Sequence, residues 1–255
     1  IILNTLISLR DEKAKRVGYS SHARFILGEG MGEDPSKGYD LWDEVLEFAS
    51  GVDVRQRGQQ GVQADLSIRG SSFEQVLILL NGVKMTDPQT GHHALNLPIS
   101  LLDIERIEIL HGGAARIYGP GAFAGAINII TKTPEVSQAR IQLLAGQNEV
   151  QQSVVSAAVV EKNHAHSLSY QKQSSGGFVR NTDYKAENIL WQSNLQLKKI
   201  DLALNLGQNV KEFGAQNFYT VNFPEQFEAT KTQFASLSGE MGLENLMLSS
   251  RAYFR

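Results

Sequence analysis

The polar run Asp87-Pro88-Gln89-Thr90-Gly91-His92-His93 gathers hydrogen-bonding and metal-capable side chains on one turn. Asp87, Gln89, His92 and His93 are therefore the candidates for contact with a ligand. A Pro-Gly loop is equally what a plain solvated turn looks like. Successive residues of an extended segment point to opposite faces, so His92 and His93 cannot both face one ion. No resident metal site is expected from the pair.

Two glycine-rich runs invite a nucleotide-binding reading and fail it. Gly28-x-Gly30-x-Gly32 and Gly119-x-Gly121-x-x-x-Gly125 lack the required frame, in which the glycines follow a strand, open a helix and precede an acidic residue about 20 positions on. Gly125 instead runs straight into the β-rich segment Ile127 to Thr131. There is no Gly-x-Ser-x-Gly elbow and no His-Glu-x-x-His helix. The chain contains no cysteine, which removes thiol nucleophiles, cysteine-held zinc and disulfide frameworks. Neither catalysis nor a bound cofactor is expected.

The elements that position these residues divide into two kinds. The chain has 255 residues, enough for one large domain or two ordinary ones, and 24 basic against 27 acidic side chains give a net charge of −3. That balance offers no broad positive field for nucleic acid. The longest continuous apolar stretch, Val76 to Leu80, falls far short of the roughly 20 residues a membrane-spanning helix needs. Ile1 to Leu9 is apolar but lacks a basic leader and a small-residue cleavage site, so it does not read as an intact signal peptide.

Before Pro134 the signals are mixed. A short amphipathic helix is predicted over Leu41 to Ala49, introduced by Asp40, with Asp43 and Glu44 in its first turn and Gly51 as its stop. Strands are predicted over Gln75 to Leu80 and Ile104 to Leu110, the first ending in the turn signal Asn81-Gly82.

After Pro134 alternation dominates. Ile189, Trp191, Leu195 and Leu197 share one face, and Asn188, Gln192, Asn194 and Gln196 the other. Ile200, Leu202, Leu204 and Leu206 repeat the pattern, with only Lys198-Lys199 to make the turn between. Leu246, Leu248, Ala252 and Phe254 alternate near the end, and Arg140 to Ala145, Val150 to Val160 and Ala165 to Gln173 are further candidates, for roughly six to eight strands in all. A soluble antiparallel sheet with one wet face would carry the same period. Segments of about 10 residues, parted by short turns and by longer polar loops such as Ser174 to Lys185 and Phe213 to Thr230, match outer-membrane barrels. So few strands cannot close around a separate folded domain.

The first half carries an ordered motif. It reads Leu-Ser-Ile-Arg-Gly from Leu66, Gln-Val-Leu-Ile-Leu-Leu-Asn-Gly-Val from Gln75, Ile-Glu-Arg-Ile-Glu-Ile-Leu-His-Gly-Gly from Ile104, and Tyr-Gly-Pro-Gly-Ala-Phe-Ala-Gly-Ala-Ile-Asn-Ile-Ile-Thr-Lys from Tyr118. Over about residues 38 to 135 this closely resembles the plug of TonB-dependent outer-membrane receptors. The resemblance implies an α+β plug domain over residues 1–135. It also implies the amino-terminal part of an incomplete antiparallel transmembrane β-barrel over 136–255, the full barrel having about 22 strands.

Further expectations rest on the same resemblance. It implies a non-catalytic importer in the bacterial outer membrane, its plug facing the periplasm, that binds a scarce nutrient and admits it as the plug rearranges. The partners implied are TonB with its inner-membrane energising complex, outer-membrane lipid and a small-molecule ligand, but no nucleic acid. The loop at 87–93 makes the plug look closest to cobalamin and siderophore receptors, which puts a metal chelate ahead of a saccharide or peptide. Arg69, Glu105, Arg106 and Glu108 match the family's ion-pair network between plug and barrel. His111 departs from the pattern, standing where the family commonly has arginine or lysine, and Arg116 is a nearby basic substitute. Asn4, Thr5, Leu6, Ile7 and Ser8 are the candidate segment for pairing with TonB. The rival reading is a cell-surface binding or adhesion module without transport.

Overall fold

The computed structural model describes residues 46, 51–58, 62–87, 89–113, 115–220, 222, 224–243 and 246–255. The segment Asn4 to Ser8, the glycines at 28, 30 and 32, Pro88 and the predicted helix at 41–49 lie outside the described residues, except that Leu46 is helical and fully buried. The chain divides into two units: residues 1–95 with 104–131, and residues 96–103 with 132–255.

In the first unit, β1 (Val52–Gln56) and β2 (Ala64–Ile68) pair as an antiparallel two-stranded sheet. A four-stranded sheet has the order β4-β3-β6-β5, built from β3 (Val76–Leu80), β4 (Val83–Lys84), β5 (Ile104–His111) and β6 (Gly125–Thr131). The pair β3 and β6 is parallel and the other two pairs are antiparallel. All five side chains of β3 are buried, which explains why Val-Leu-Ile-Leu-Leu runs apolar without alternation. Ile78, Leu80, Ile127 and Ile129 are at most 2% exposed. Full burial of each such side chain is worth about 1.5–3 kcal/mol, which secures this sheet against loss of any one polar contact. Asn81 and Gly82 form the expected turn at φ 51° and 75°, a pair of positive values that suits asparagine followed by glycine.

The second unit is a seven-stranded antiparallel meander. Its strands are β7 (Gln138–Ala145), β8 (Gln151–Glu161), β9 (His164–Ser175), β10 (Tyr184–Gln196), β11 (Ile200–Gly214), β12 (Phe227–Leu243) and β13 (Leu246–Phe254). The hairpin predicted across Lys198-Lys199 is present, with Leu195 opposite Leu202 and Gln196 opposite Asp201. Two expectations need correction. The loops predicted at 174–185 and 213–230 are shorter, because β9 continues to Ser175, β10 starts at Tyr184, β11 runs to Gly214 and β12 begins at Phe227. The long strand β12 was not read from the sequence, since Gly239 and Gly242 interrupt its alternation and Phe234 lies on the face opposite Ala235 and Leu237.

One face of this sheet exposes an apolar band, while the other buries polar side chains beside apolar ones such as Leu190, Phe213 and Phe234. On one face Ile141, Leu143, Val155, Val159, Leu168, Leu206, Leu237, Leu248 and Phe254 are 41–75% exposed. Trp191, Leu206, Ala235 and Phe254 stand side by side across four strands of that face. On the other face Ser169, Gln171, Gln192, Asn205, Asn209, Lys211, Thr232 and Ser236 are buried. Gln192 Nε2 donates to Asn205 Oδ1 at 2.9 Å, and Asn205 Nδ2 donates to Ser236 Oγ at 3.1 Å, so this polar row satisfies itself across three strands.

The segment 96–103 is fastened to the polar face of the same unit. Asn188 Nδ2 donates to the Ile99 carbonyl at 3.0 Å, and Asn96 Nδ2 to Thr230 Oγ1 at 3.2 Å. Asp103 Oδ2 accepts from the Ser100 backbone N–H, Ser100 Oγ and Ser169 Oγ at 2.7, 2.9 and 2.8 Å. Gly207 is needed where Pro98 approaches, since a Cβ there would lie 2.8 Å from the Pro98 ring.

Candidate functional site

The motif residues of the first unit are joined by side-chain hydrogen bonds that link its turns to β6. Asn81 Nδ2 donates to Thr131 Oγ1 at 2.9 Å, and the Thr131 N–H donates to Asn81 Oδ1 at 2.9 Å. The Gly82 N–H donates to Asn128 Oδ1 at 2.8 Å, and Asn128 Nδ2 donates to Glu108 Oε2 at 3.0 Å. The Leu-Asn-Gly turn and the Ile-Asn-Ile-Ile-Thr strand are thus two halves of one polar lock at the edge of an apolar sheet.

Glu108 also ties this lock to the charged strand. Arg106 Nε donates to Glu108 Oε1 at 2.9 Å, and its Nη1 donates to Glu105 Oε1 at 2.8 Å. Burial by itself lowers the Arg106 pKa. The hydrogen bond and charge of Glu108, and then those of Glu105, outweigh it and raise the value above that of an ordinary arginine. Arg106 is therefore a fixed cation. Of the four charges matched to the ion-pair network, Glu105, Arg106 and Glu108 come together. Arg69 lies elsewhere, in the turn that closes β2, at φ 54°. Its Cγ and the ring of His111 both approach position 51, which sets Arg69 at the far end of β5 from Arg106, about 16 Å along a strand of that length.

The loop 85–95 is organised by its own side chains. Asp87 Oδ1 accepts from the N–H groups of Gln89 and Thr90 at 2.8 and 3.4 Å, and Thr90 Oγ1 accepts from the His92 N–H at 3.3 Å. Gly91–His93 then form one 3-10 turn. Of the four residues expected to meet a ligand, Gln89 is exposed and Asp87, His92 and His93 are partly so. They share this loop, yet they are not alike. His92 Nδ1 lies 2.6 Å from Asp65 Oδ1, and its ring stacks on Phe73 with centroids 4.3 Å apart.

Asp65, Arg57 and Phe73 are the participants that sequence reasoning missed. The available signal was an isolated acidic residue inside the strand-like run Gln-Ala-Asp-Leu-Ser-Ile. Among the described residues no three histidine, cysteine or acidic side chains gather as a metal site, and no helix is long and apolar enough to cross a membrane. The latter does not bear on strands.

The comparisons with known proteins agree with this architecture. Residues 36–126 match the TonB-dependent Receptor Plug Domain. The vitamin B12 transporter BtuB of Vibrio vulnificus (strain CMCP6) is 34% identical over 108 residues, which is 42% of this chain and 18% of that protein. The protein of the same name from Vibrio vulnificus (strain YJ016) is 26% identical over 215 residues, covering 82% of this chain and 35% of its own length. Among solved structures, the ferric citrate transporter FecA in its unliganded form aligns with a TM-score of 0.67 at 15% identity, over 83% of this chain and 36% of that one. The copper transporter OprC aligns with a TM-score of 0.65 at 18% identity, over 83% and 34%. The chain thus spans well under two thirds of the length of these proteins. Residues 36–126 thus match a plug-domain family, and the strands that follow share the fold of these solved transporters. The proteins it matches are named as transporters, not enzymes.

Proposed function

We propose that this chain is the gate and first wall segment of an outer-membrane importer for a metal chelate, of the cobalamin or ferric siderophore kind. The observation that carries the reading is the pairing, within one chain, of a plug fold with a sheet whose exposed face bears an apolar band and whose covered face buries a row of polar side chains among apolar ones. A sheet of that polarity suits a wall with hydrocarbon outside and a polar lumen within. The substrate class draws on relatives named as vitamin B12 transporters and on structural neighbours named for copper, ferric yersiniabactin and ferric citrate.

In this reading the plug faces the periplasm, and Asp87, Gln89, His92 and His93 lie on the plug's ligand-facing loop. Arg69, Glu105, Arg106 and Glu108 form the plug's share of an ion-pair network with the barrel, while Asn4, Thr5, Leu6, Ile7 and Ser8 add as a strand to TonB. Import is driven through TonB and makes or breaks no covalent bond in the ligand.

The test is expression of the full-length gene in the outer membrane, with binding and uptake of cyanocobalamin and ferric citrate compared with and without TonB. Saturable binding of one chelate and TonB-dependent uptake are expected. Binding without uptake would favour a surface adhesion or recognition module, and preference for an oligosaccharide or peptide would overturn the substrate class.

A further inference from the structure

A single carboxylate lies between two loops of the plug. Asp65, on β2, is only 7% exposed, and its Oδ2 accepts from Arg57 Nε and a terminal nitrogen of the same guanidinium, each at 2.9 Å. Its Oδ1 faces His92 Nδ1 at 2.6 Å. Arg57 and Gly58 form the bend that leaves β1, while His92 belongs to the loop 85–95. A carboxylate buried to this degree is tolerated only when partners replace its lost water, so each loop supplies part of what the other needs.

A second contact fixes the same geometry. Phe73 stacks on the His92 ring at an interplanar angle of 27°. A Cβ at Gly91 would lie 2.8 Å from Phe73 Cε2, so the loop lies flat on this ring only because position 91 is glycine.

We infer that Asp65 is a positioning residue that clasps the two loops into one surface, and that His92 serves this clasp rather than meeting the ligand itself. The inference rests on the reading of loop 87–93 as ligand-facing. Gln89 and His93 then present to the chelate in a conformation set by a carboxylate that does not touch it. Removing either side of the clasp frees both loops.

The test uses the full-length receptor in outer-membrane vesicles, carrying spin labels at Gly58→Cys and at the exposed Thr86→Cys. Cyanocobalamin is the binding probe. The unmodified clasp is expected to give a narrow distance distribution, which Asp65→Ala and His92→Ala each broaden. The double variant broadens it no further, because the two residues act as one unit. Affinity for the probe falls about tenfold in each single variant and no more in the double. His92→Gln, which keeps a donor toward Asp65, recovers much of the narrow distribution. Asp65→Asn removes the charge at nearly constant shape, and it broadens the distribution even if Asp65→Ala fails to fold. An unchanged distribution in Asp65→Asn, or additive broadening in the double variant, would overturn the clasp. A receptor that binds no chelate but still shows the non-additive broadening supports the clasp and removes only the ligand reading.

Discussion

β3 of the plug and β10 of the wall solve opposite problems with similar residues. In β3 five consecutive apolar side chains are all buried, and nothing polar is placed until Asn81 leaves the strand. In β10 Asn188, Gln192 and Asn194 face inward together with the buried Ala186 and Leu190, while Ile189 on the other face stays 41% exposed. The plug is organised as water-soluble domains are, with its apolar groups withdrawn from water. The wall holds its strands by the same period of two but offers the apolar side outward. An apolar face of that kind suits surroundings other than water, here proposed to be lipid. On the proposed reading a single chain meets two solvents, and the contrast separates residues that hold the plug together from residues that face the membrane.

The contrast can be broken in order of expected effect. Leu79→Ala, in the fully buried strand, should destabilise the plug by about 2–5 kcal/mol, read as earlier protease cleavage within the plug of the full-length receptor. Leu206→Arg should cost about 2–4 kcal/mol if Leu206 faces the middle of a bilayer, measured as refolding yield into lipid vesicles. On a wet face the same change would stay within about 0.5 kcal/mol. Asn205→Leu removes the partner of both Gln192 and Ser236, and a cost of about 1–3 kcal/mol is expected in the same refolding assay. The smallest effect belongs to Arg106→Ala. Arg106 and its two partners Glu105 and Glu108 are 33–48% exposed, so loss of each pair should cost below about 1 kcal/mol by denaturant titration. A group with a raised folded-state pKa stabilises fully below its unfolded value and stops only as pH rises through the folded one. For Arg106 that window is far above neutrality, so its contribution should stay flat across the neutral range.

Local signals were legible in the sequence and distant ones were not. Asn81-Gly82 specified its own turn, and Lys198-Lys199 its hairpin, because each needs only neighbours in the chain. That Asn81 bonds Thr131, 50 positions away, and that the Gly82 N–H bonds Asn128, 46 positions away, could not be read from spacing. The motif was recognisable while its physical purpose stayed hidden. β12 was missed because glycine on its outer face and phenylalanine on its inner face blur the alternation on which such strands are detected. Segment 96–103 groups with the strands of the second unit, held by carbonyl and serine contacts that leave no periodic trace in the sequence. At the candidate site the loop itself was visible as a cluster of polar residues. Asp65 was not, because one acidic residue within a strand signals nothing until its partners are known.

The most direct measurement of the central claim is a cysteine scan of β10 from residue 188 to 195 in the full-length receptor reconstituted in lipid, with spin labels read for collisions with oxygen and with a water-soluble nickel chelate. Oxygen accessibility should peak at Ile189, Trp191, Ser193 and Leu195, and fall at the even positions between them. Peaks of the nickel chelate at those odd positions, or no period of two, would contradict a wall whose apolar face meets lipid.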